Sequence, residues 1–342
     1  MLLKRKSSKI FASSKRKPEY RPWALEDGVT QGFLEKFMCC PQKCRMSMVD
    51  GWTKDKTSDA LIFGDLVHGV FDKLYTEFRD HPKGFDPVLQ VALFLGESDR
   101  NWRNSHNRAT AIQVQQWEEC MLSAEVLLPL YCQHWRKDFS DVEWVSLEEK
   151  FDVPFPIKTY EGPRSIRIRG KLDGNMRIRK KLWLFETKTK SQVDDNTIID
   201  CLPIDLQVNT YSWADREMYG ELPHGVKYNV LRRPLLRMGK KETYPEFRKR
   251  MHNDIVSRPD WYFNRYELQL DVDEHDATVR NTHNILLDVY DWARWGRGHQ
   301  YYNPSYCSGK YGTCEYLGIC SRNDCAGLVK KTCAYPELDS ED

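Results

Sequence analysis

Asp173, Glu186 and Lys188 are the residues of this chain whose types and spacing point most directly to chemistry. Asp173 stands in Gly170-Lys171-Leu172-Asp173-Gly174, and Glu186 and Lys188 follow the run Lys181-Leu-Trp-Leu-Phe185. Alternate residues of a strand share a face, so Glu186 and Lys188 project together and Thr187 projects the other way. Asp173-Gly174-Asn175 carries a turn signal between two strand-like segments. A hairpin of those strands brings Asp173 toward Glu186 at one sheet end. Two carboxylates and the carbonyl of Thr187 then make a hard oxygen site suited to Mg²⁺ or Mn²⁺. The Lys188 ammonium beside it is suited to position or deprotonate a water and to stabilise charge on a phosphate. Taken singly, Asp-Gly is an ordinary turn and Glu-x-Lys an ordinary solvated pair. The strand ahead of Glu186 is apolar on both faces, however, and a charged pair ending a buried strand needs partners or a metal.

Two further pairings flank this trio. Gly64-Asp65-Leu66-Val67-His68 lies on an early amphipathic helix, and Gln207-x-x-x-Tyr211 puts two polar side chains on one face of a later one. Each alone says little. The eleven cysteines form a third feature. Cys39, Cys40 and Cys44 cluster early, Cys307, Cys314, Cys320, Cys325 and Cys333 cluster late, and Cys120, Cys132 and Cys201 stand apart. The N-terminus shows no apolar run of the secretory kind, so a cytoplasmic chain with reduced thiols is expected, and clustered thiols there point to metal. The late spacings are six, five and four residues. They lack the tight pairs of zinc sites and suit an iron–sulfur cluster better, with Zn²⁺ as the other occupant.

Elements must position these residues. Helical spacing is expected over 29–50, 60–79, 109–137 (with Pro129 as a kink), 203–219, 243–258 and 274–295. Strands are expected around 145–153, 166–169, 181–187, 225–232 and 261–272. The order predicts an α/β fold with a central mixed sheet flanked by helices. It divides into a basic arm (1–22), a helical region (23–140), a core (141–300) and a cysteine-rich end with an acidic tail (301–342). Of the 342 residues 40% are hydrophobic and 30% charged, enough for a folded core. No run of about 20 apolar residues exists to cross a membrane. Net charge is +2, yet Lys4, Arg5, Lys6, Lys9, Lys15, Arg16 and Lys17 crowd the start. A second basic stretch, with Arg232, Arg233, Lys240 and Lys241, is a candidate phosphate-tracking groove as well as an ordinary solvated face. No Walker motif is present, so a helicase or recombination partner would have to supply any motor.

Gly64 to His68, Gly170 to Gly174, Glu186 to Lys188 and Gln207 to Tyr211, in that order, resemble the PD-(D/E)xK nuclease superfamily, specifically its RecB-like branch, as found in phages and bacteria. The resemblance implies a restriction-endonuclease-like core and DNA as partner. It implies hydrolysis of DNA, more exonucleolytic than endonucleolytic, with single strands or ends preferred. Asp173 and Glu186 would ligate the metal, Thr187 would offer its carbonyl, and His68 would be an additional ligand. Lys188 would assist the attacking water, and Gln207 and Tyr211 would hold the site and the strand. Glu149 is a further supporting candidate. The cysteines resemble those of the iron–sulfur members, such as AddB and the CRISPR-adaptation nucleases. That likeness implies a 4Fe–4S cluster on Cys40, Cys307, Cys314 and Cys320, clasping the N-terminal helix to the C-terminus. Cys39 and Cys44 rival Cys40, and Cys325 and Cys333 depart from the pattern. The alternative reading is a non-catalytic iron–sulfur protein that binds nucleic acid in recombination or repair.

Overall fold

The computed structural model describes residues 20–55, 57–295, 301–309 and 312–339. Most of the basic arm and residues 340–342 of the acidic tail lie outside them. Helices α1 (Gln31–Cys39) and α2 (Pro41–Cys44) come first, and α2 runs into a π-helical turn over Arg45–Val49 before the short strand β1 (Trp52–Lys54). Three long helices follow: α3 (Asp59–Asp80), α4 (Pro87–Ser105) and α5 (Ala111–His134). Next come β2 (Glu143–Thr159), β3 (Gly162–Ile178), β4 (Lys181–Lys190), α6 (Asp195–Cys201), α7 (Leu206–Tyr219) and β5 (Gly225–Arg232). Then α8 (Tyr244–Ser257), α9 (Pro259–Tyr262), β6 (Phe263–Gln269) and α10 (Val272–Trp295) complete the core. The C-terminal segment holds β7 (Ser308–Gly309), β8 (Gly312–Thr313), α11 (Leu317–Arg322) and β9 (Leu328–Lys330).

The central sheet runs β2-β3-β4-β5-β6, with β4 and β5 parallel and the other neighbours antiparallel. It is therefore mixed and helix-covered, as the residue pattern predicts. Strand β5 is buried along its whole length, as the strand between a parallel and an antiparallel neighbour should be. One face packs against α3, α5 and α8 through Phe63, Val67, Leu127, Trp183, Phe185 and Met251. The other packs against α1, α7 and α10 through Phe33, Ile168, Leu184, Val208, Val230 and Leu286.

Local chemistry explains the ends of the elements that matter. Ser58 caps α3, accepting from Leu61 N at 3.3 Å, and Phe63, Leu66, Val67, Val70, Phe71 and Leu74 give it one buried stripe. Asp205 caps α7, accepting from Val208 N at 2.9 Å, and Gly220 ends it in the left-handed conformation. Pro129 sits inside an unbroken α5.

One expectation is overturned. Asp173-Gly174-Asn175 is not a turn; it lies within β3. The β3–β4 reversal comes later, at Arg179 and Lys180, which both take positive φ (52° and 67°). Two successive left-handed residues make the two-residue hairpin that matches strand twist. Nothing in the side chains of Arg179 and Lys180 announces it. Helix α4 also went without an expected segment; it buries only Val91 and Leu95 within its length, so its apolar periodicity is faint.

Candidate active site and cysteine cluster

The β3–β4 ladder stops at Gly174↔Phe185, while β2 and β3 stay paired as far as Gly162. The sheet therefore forks just beyond Gly174, and the site occupies the fork. Asp173 fills the parting. Its Oδ2 accepts from Thr187 N at 2.7 Å, satisfying an amide that the lost ladder would have paired. Thr187 thus enters the site through its backbone, while its side chain, fully buried, meets Asn229 on β5.

Across the fork, alternation on β4 holds. Glu186 and Lys188 share a face, their carboxylate and ammonium 2.6 Å apart. Gln207 of α7 bridges them: its Oε1 accepts from Lys188 Nζ at 2.6 Å and its Nε2 donates to Glu186 Oε1 at 2.8 Å. Tyr211, one turn further along α7, is buried and hydrogen-bonded to Gln207. Its ring rests edge-on against Phe151, 5.4 Å between centroids. Gly170 makes room for this pair, since a Cβ there would lie 2.6 Å from the Phe151 ring and 3.3 Å from Tyr211. The first glycine of the Gly-x-x-Asp-Gly segment is thus a packing requirement.

From the other side α3 presents His68, whose Nδ1 lies 3.4 Å from Asp173 Oδ1. Gly64 stands one turn earlier against β4, where a Cβ would come 3.2 Å from Thr189 Oγ1. Its lack of a side chain lets α3 approach closely enough for His68 to reach Asp173. The third carboxylate was missed by sequence reasoning. It is Glu148, not Glu149: ligand atoms of His68, Glu148 and Asp173 all lie within 4.8 Å of one another. Glu148 holds φ +48° next to a register shift in β2 between Trp144 and Ser146. A non-glycine residue in that region is strained, and here the irregularity aims a carboxylate into the fork. Glu149 instead accepts from the Tyr219 hydroxyl. Plain alternation cannot reveal a bulge, and the sequence reading named Glu149 in place of Glu148.

The electrostatics are those of crowded, buried charge. Burial and the Asp173 charge push Glu186 above the usual carboxylate range, against the pull of Lys188. Burial also opposes ionisation of Asp173. The His68 contact, the Thr187 amide and Lys188 outweigh it and hold Asp173 below its ordinary value. Burial draws His68 down, but Asp173, Glu186 and Glu148 outweigh it and raise the imidazole. Burial likewise opposes the Lys188 ammonium, which Glu186 and Asp173 nevertheless stabilise. Glu186 Oε2 is buried without a hydrogen-bond partner. An orphaned carboxylate oxygen beside two further acids and an imidazole fits a divalent cation. His68, Glu148, Asp173 and Glu186 are the side chains able to hold one.

The proposed DNA-binding residues lie in two settings. Arg232 is buried at the end of β5, stacked 3.6 Å from the Trp261 ring and donating to Trp261 O at 2.9 Å. Arg233 lies 3.7 Å from Asp59 and against the Phe63 ring. Lys240 and Lys241 are exposed on the loop before α8. Among the cysteines, Cys320 is raised first by burial and then by the charges of Cys314, Cys40 and Cys307, which places those thiols in its neighbourhood; the described cysteines form no group tight enough to share one metal ion. Cys40 Sγ accepts from Asn303 N at 3.3 Å, and Cys314 N donates to Cys307 O at 2.9 Å. Of the rivals, Cys39 stays beside Cys40, raised by burial, and the others are placed elsewhere. Cys44 is buried and directs its thiol to Phe33 O at 3.9 Å, Cys333 lies by Tyr20, and Cys325 is exposed.

None of the curated proteins matches this chain. Several solved structures are similar to it, two of which follow. One, a candidate exonuclease from Eubacterium rectale, is 11% identical, with a TM-score of 0.47 over 92% of this chain and 94% of that one. The protein SSO0001 is 14% identical, with a TM-score of 0.26 over 55% of this chain and 68% of that one. The family model of the PD-(D/E)XK nuclease superfamily matches residues 29–321, from the bridge before α1 to the cysteine-rich end. With the Asp173–Glu186–Lys188 fork at its centre, the chain belongs to the PD-(D/E)XK nuclease superfamily.

Proposed function

We propose that this protein is a Mg²⁺- or Mn²⁺-dependent deoxyribonuclease, acting as an exonuclease on single-stranded DNA or DNA ends. The observation that carries the reading is the convergence of His68, Glu148 and Asp173 at the fork, beside a Glu186–Lys188 pair braced by Gln207. His68, Glu148, Asp173 and Glu186 would hold the cation, with the Thr187 carbonyl as a backbone ligand. When bound, the cation supplies Lewis-acid polarisation of the phosphate and a more acidic attacking water. Lys188 keeps its ammonium at the phosphate, held by two acceptors, and meets the charge that grows in the transition state. Gln207 fixes both Lys188 and Glu186, and Tyr211 fixes Gln207.

The test is incubation of end-labelled single- and double-stranded DNA with purified protein and Mn²⁺, beside Asp173→Ala and Lys188→Ala. Both variants should lose on the order of 10³-fold or more in rate at a temperature where each remains folded, as its melting curve shows. Equal cleavage by all three proteins would remove the site assignment. A second proposed group is a 4Fe–4S cluster on Cys40, Cys307, Cys314 and Cys320, whose thiolates would tie α2 to the C-terminal segment; what speaks for it is the spacing of these cysteines in the sequence and the nearness of Cys314, Cys40 and Cys307 to Cys320.

A further inference from the structure

The end of the sheet beyond the fork carries a feature that the cleavage chemistry does not use. Alternation on β4 continues past Lys188 to Lys190, so Glu186, Lys188 and Lys190 line one face. Two residues along a strand is about 6.6 Å, of the order of one nucleotide step. Lys190 is half-buried, 5.7 Å above the Tyr228 ring. Among the described residues no carboxylate lies within ion-pair distance of it. Asp205, whose charge reaches Lys190, is engaged in capping α7. An ammonium held in a half-buried position beside a nuclease site, without its own acid, has room for an anion.

The neighbouring strand adds the second half. Lys190 is in register with Arg232 on parallel β5, whose alternation with Tyr228 and Val230 puts it on the same face. Arg232 is itself immobilised: it donates to Trp261 O at 2.9 Å and to Val193 O at 3.3 Å. Its guanidinium covers one side of the Trp261 ring at 3.6 Å, and Arg258 lies 5.5 Å from the same ring. Yet Trp261 remains 47% exposed. A large aromatic side chain braced by two cations and left half in solvent is a rigid surface for stacking, more polarised by those cations than a free indole.

We propose that Lys190 and Trp261 form a subsite for single-stranded DNA at this end of the sheet. Lys190 takes a phosphate next to the one held at Asp173–Lys188, and Trp261, backed by Arg232, stacks an adjacent base. A base in a duplex has no free face to offer, so the subsite selects unpaired strands. This deepens the nuclease reading and rests on it.

Fluorescence anisotropy of labelled oligothymidylate tests the subsite, in EDTA so that nothing is cleaved. Trp261→Ala should weaken binding about 5- to 150-fold, and Trp261→Phe should restore most of it. Lys190→Ala should make the logarithmic salt dependence shallower by about 0.7, and Lys190→Arg should restore the slope. A blunt duplex should show neither effect. Wild-type binding by both alanine variants overturns the subsite, as does failure of the native protein to bind oligothymidylate. Should either alanine variant melt early, the gap between it and its conservative partner loses meaning, and Trp261→Leu and Lys190→Gln replace them. Cleavage by the native protein in Mn²⁺ is read separately. Cleavage with wild-type binding by the variants removes the subsite alone. Loss of binding in the variants without cleavage by the native protein removes the nuclease reading and leaves a single-strand binding site.

Discussion

At the level of single residues, the site contains one carboxylate that the sequence motifs did not include. Glu148 is held in a strained conformation against His68 and Asp173, and strain of that kind persists only where its surroundings enforce it. Glu148→Gln keeps the shape and removes one negative donor. It should raise the Mn²⁺ concentration for half-maximal cleavage by about 10- to 100-fold, the range seen when metal-site support is removed. A wild-type Mn²⁺ titration would exclude Glu148 from the metal site. A second buried acid lies outside the site. Asp215 on α7 is pushed up to about 7 by burial, against the pull of its hydrogen bond from Asn175 at 2.8 Å. Its folded pKa exceeds its unfolded one, so the native state binds more protons between the two. Stability therefore falls as pH rises from about 4 to about 7, and levels above that. In urea melts, Asp215→Asn should gain on the wild type across that window, by about 4 kcal/mol at most. A pH-independent difference would show that Asp215 does not titrate there.

Elements decide how much of this the sequence reveals. Glu186 and Lys188 were legible because β4 is regular through them, and strict alternation fixes their common face. Gln207 and Tyr211 were legible because helical spacing is equally strict. Asp173 was recognised as a site residue but misread as a turn, because Asp-Gly has turn chemistry wherever it occurs. The fork that gives Asp173 its role depends on where two strands part, which no local pattern encodes. Glu148 stayed hidden for a related reason: a bulge shifts parity by one residue and leaves composition unchanged. Gly170 shows the opposite case, a motif residue whose reason appears only in the packing. Gly170→Ala would press a methyl against Phe151 and Tyr211. Overpacking of that kind costs about 1–3 kcal/mol. Urea unfolding should register that loss, with a fall in cleavage rate as Tyr211 shifts against Gln207. An unchanged midpoint and rate would mean that β2 yields freely at Phe151.

For the whole molecule, the mixed sheet and most of its flanking helices, α4 excepted, followed from periodicity, whereas the closure between the two ends of the chain did not. The cysteines pointed to that closure, but the structure builds it from ordinary contacts as well. β9 pairs with β1, Tyr316 donates to Trp52 O at 2.9 Å, and Tyr335 donates to Gly28 O at 2.9 Å. Arg169 on β3 meets Asp339 at 2.9 Å. If a cluster joins Cys40 to Cys307, Cys314 and Cys320, it reinforces an existing clasp. Cys40→Ser and Cys320→Ser should then lose iron and the broad visible absorption near about 400 nm of thiolate clusters. Their melting temperature should drop by several degrees, about 2–4 °C for each kcal/mol lost in a chain of this size. A colourless wild type with stoichiometric zinc would replace the cluster with a zinc site.

The β1–β9 ladder has a consequence for how the protein comes into being. Trp52 and Lys330 can meet only after nearly the whole intervening chain has been made. Any contact of Cys40 with Cys307, Cys314 and Cys320 obeys the same timing. Ribosomes add about 5–20 residues each second, so the early strand stays unpaired for many seconds. The strands of the forked sheet, Glu143 to Gln269, are all synthesised before β9. The order of synthesis thus allows two stages: a core whose strands are all available while the chain is still being made, and a closing step that requires residues beyond 300. A ribosome stalled between those stages would hold the fork already built and the seal still open.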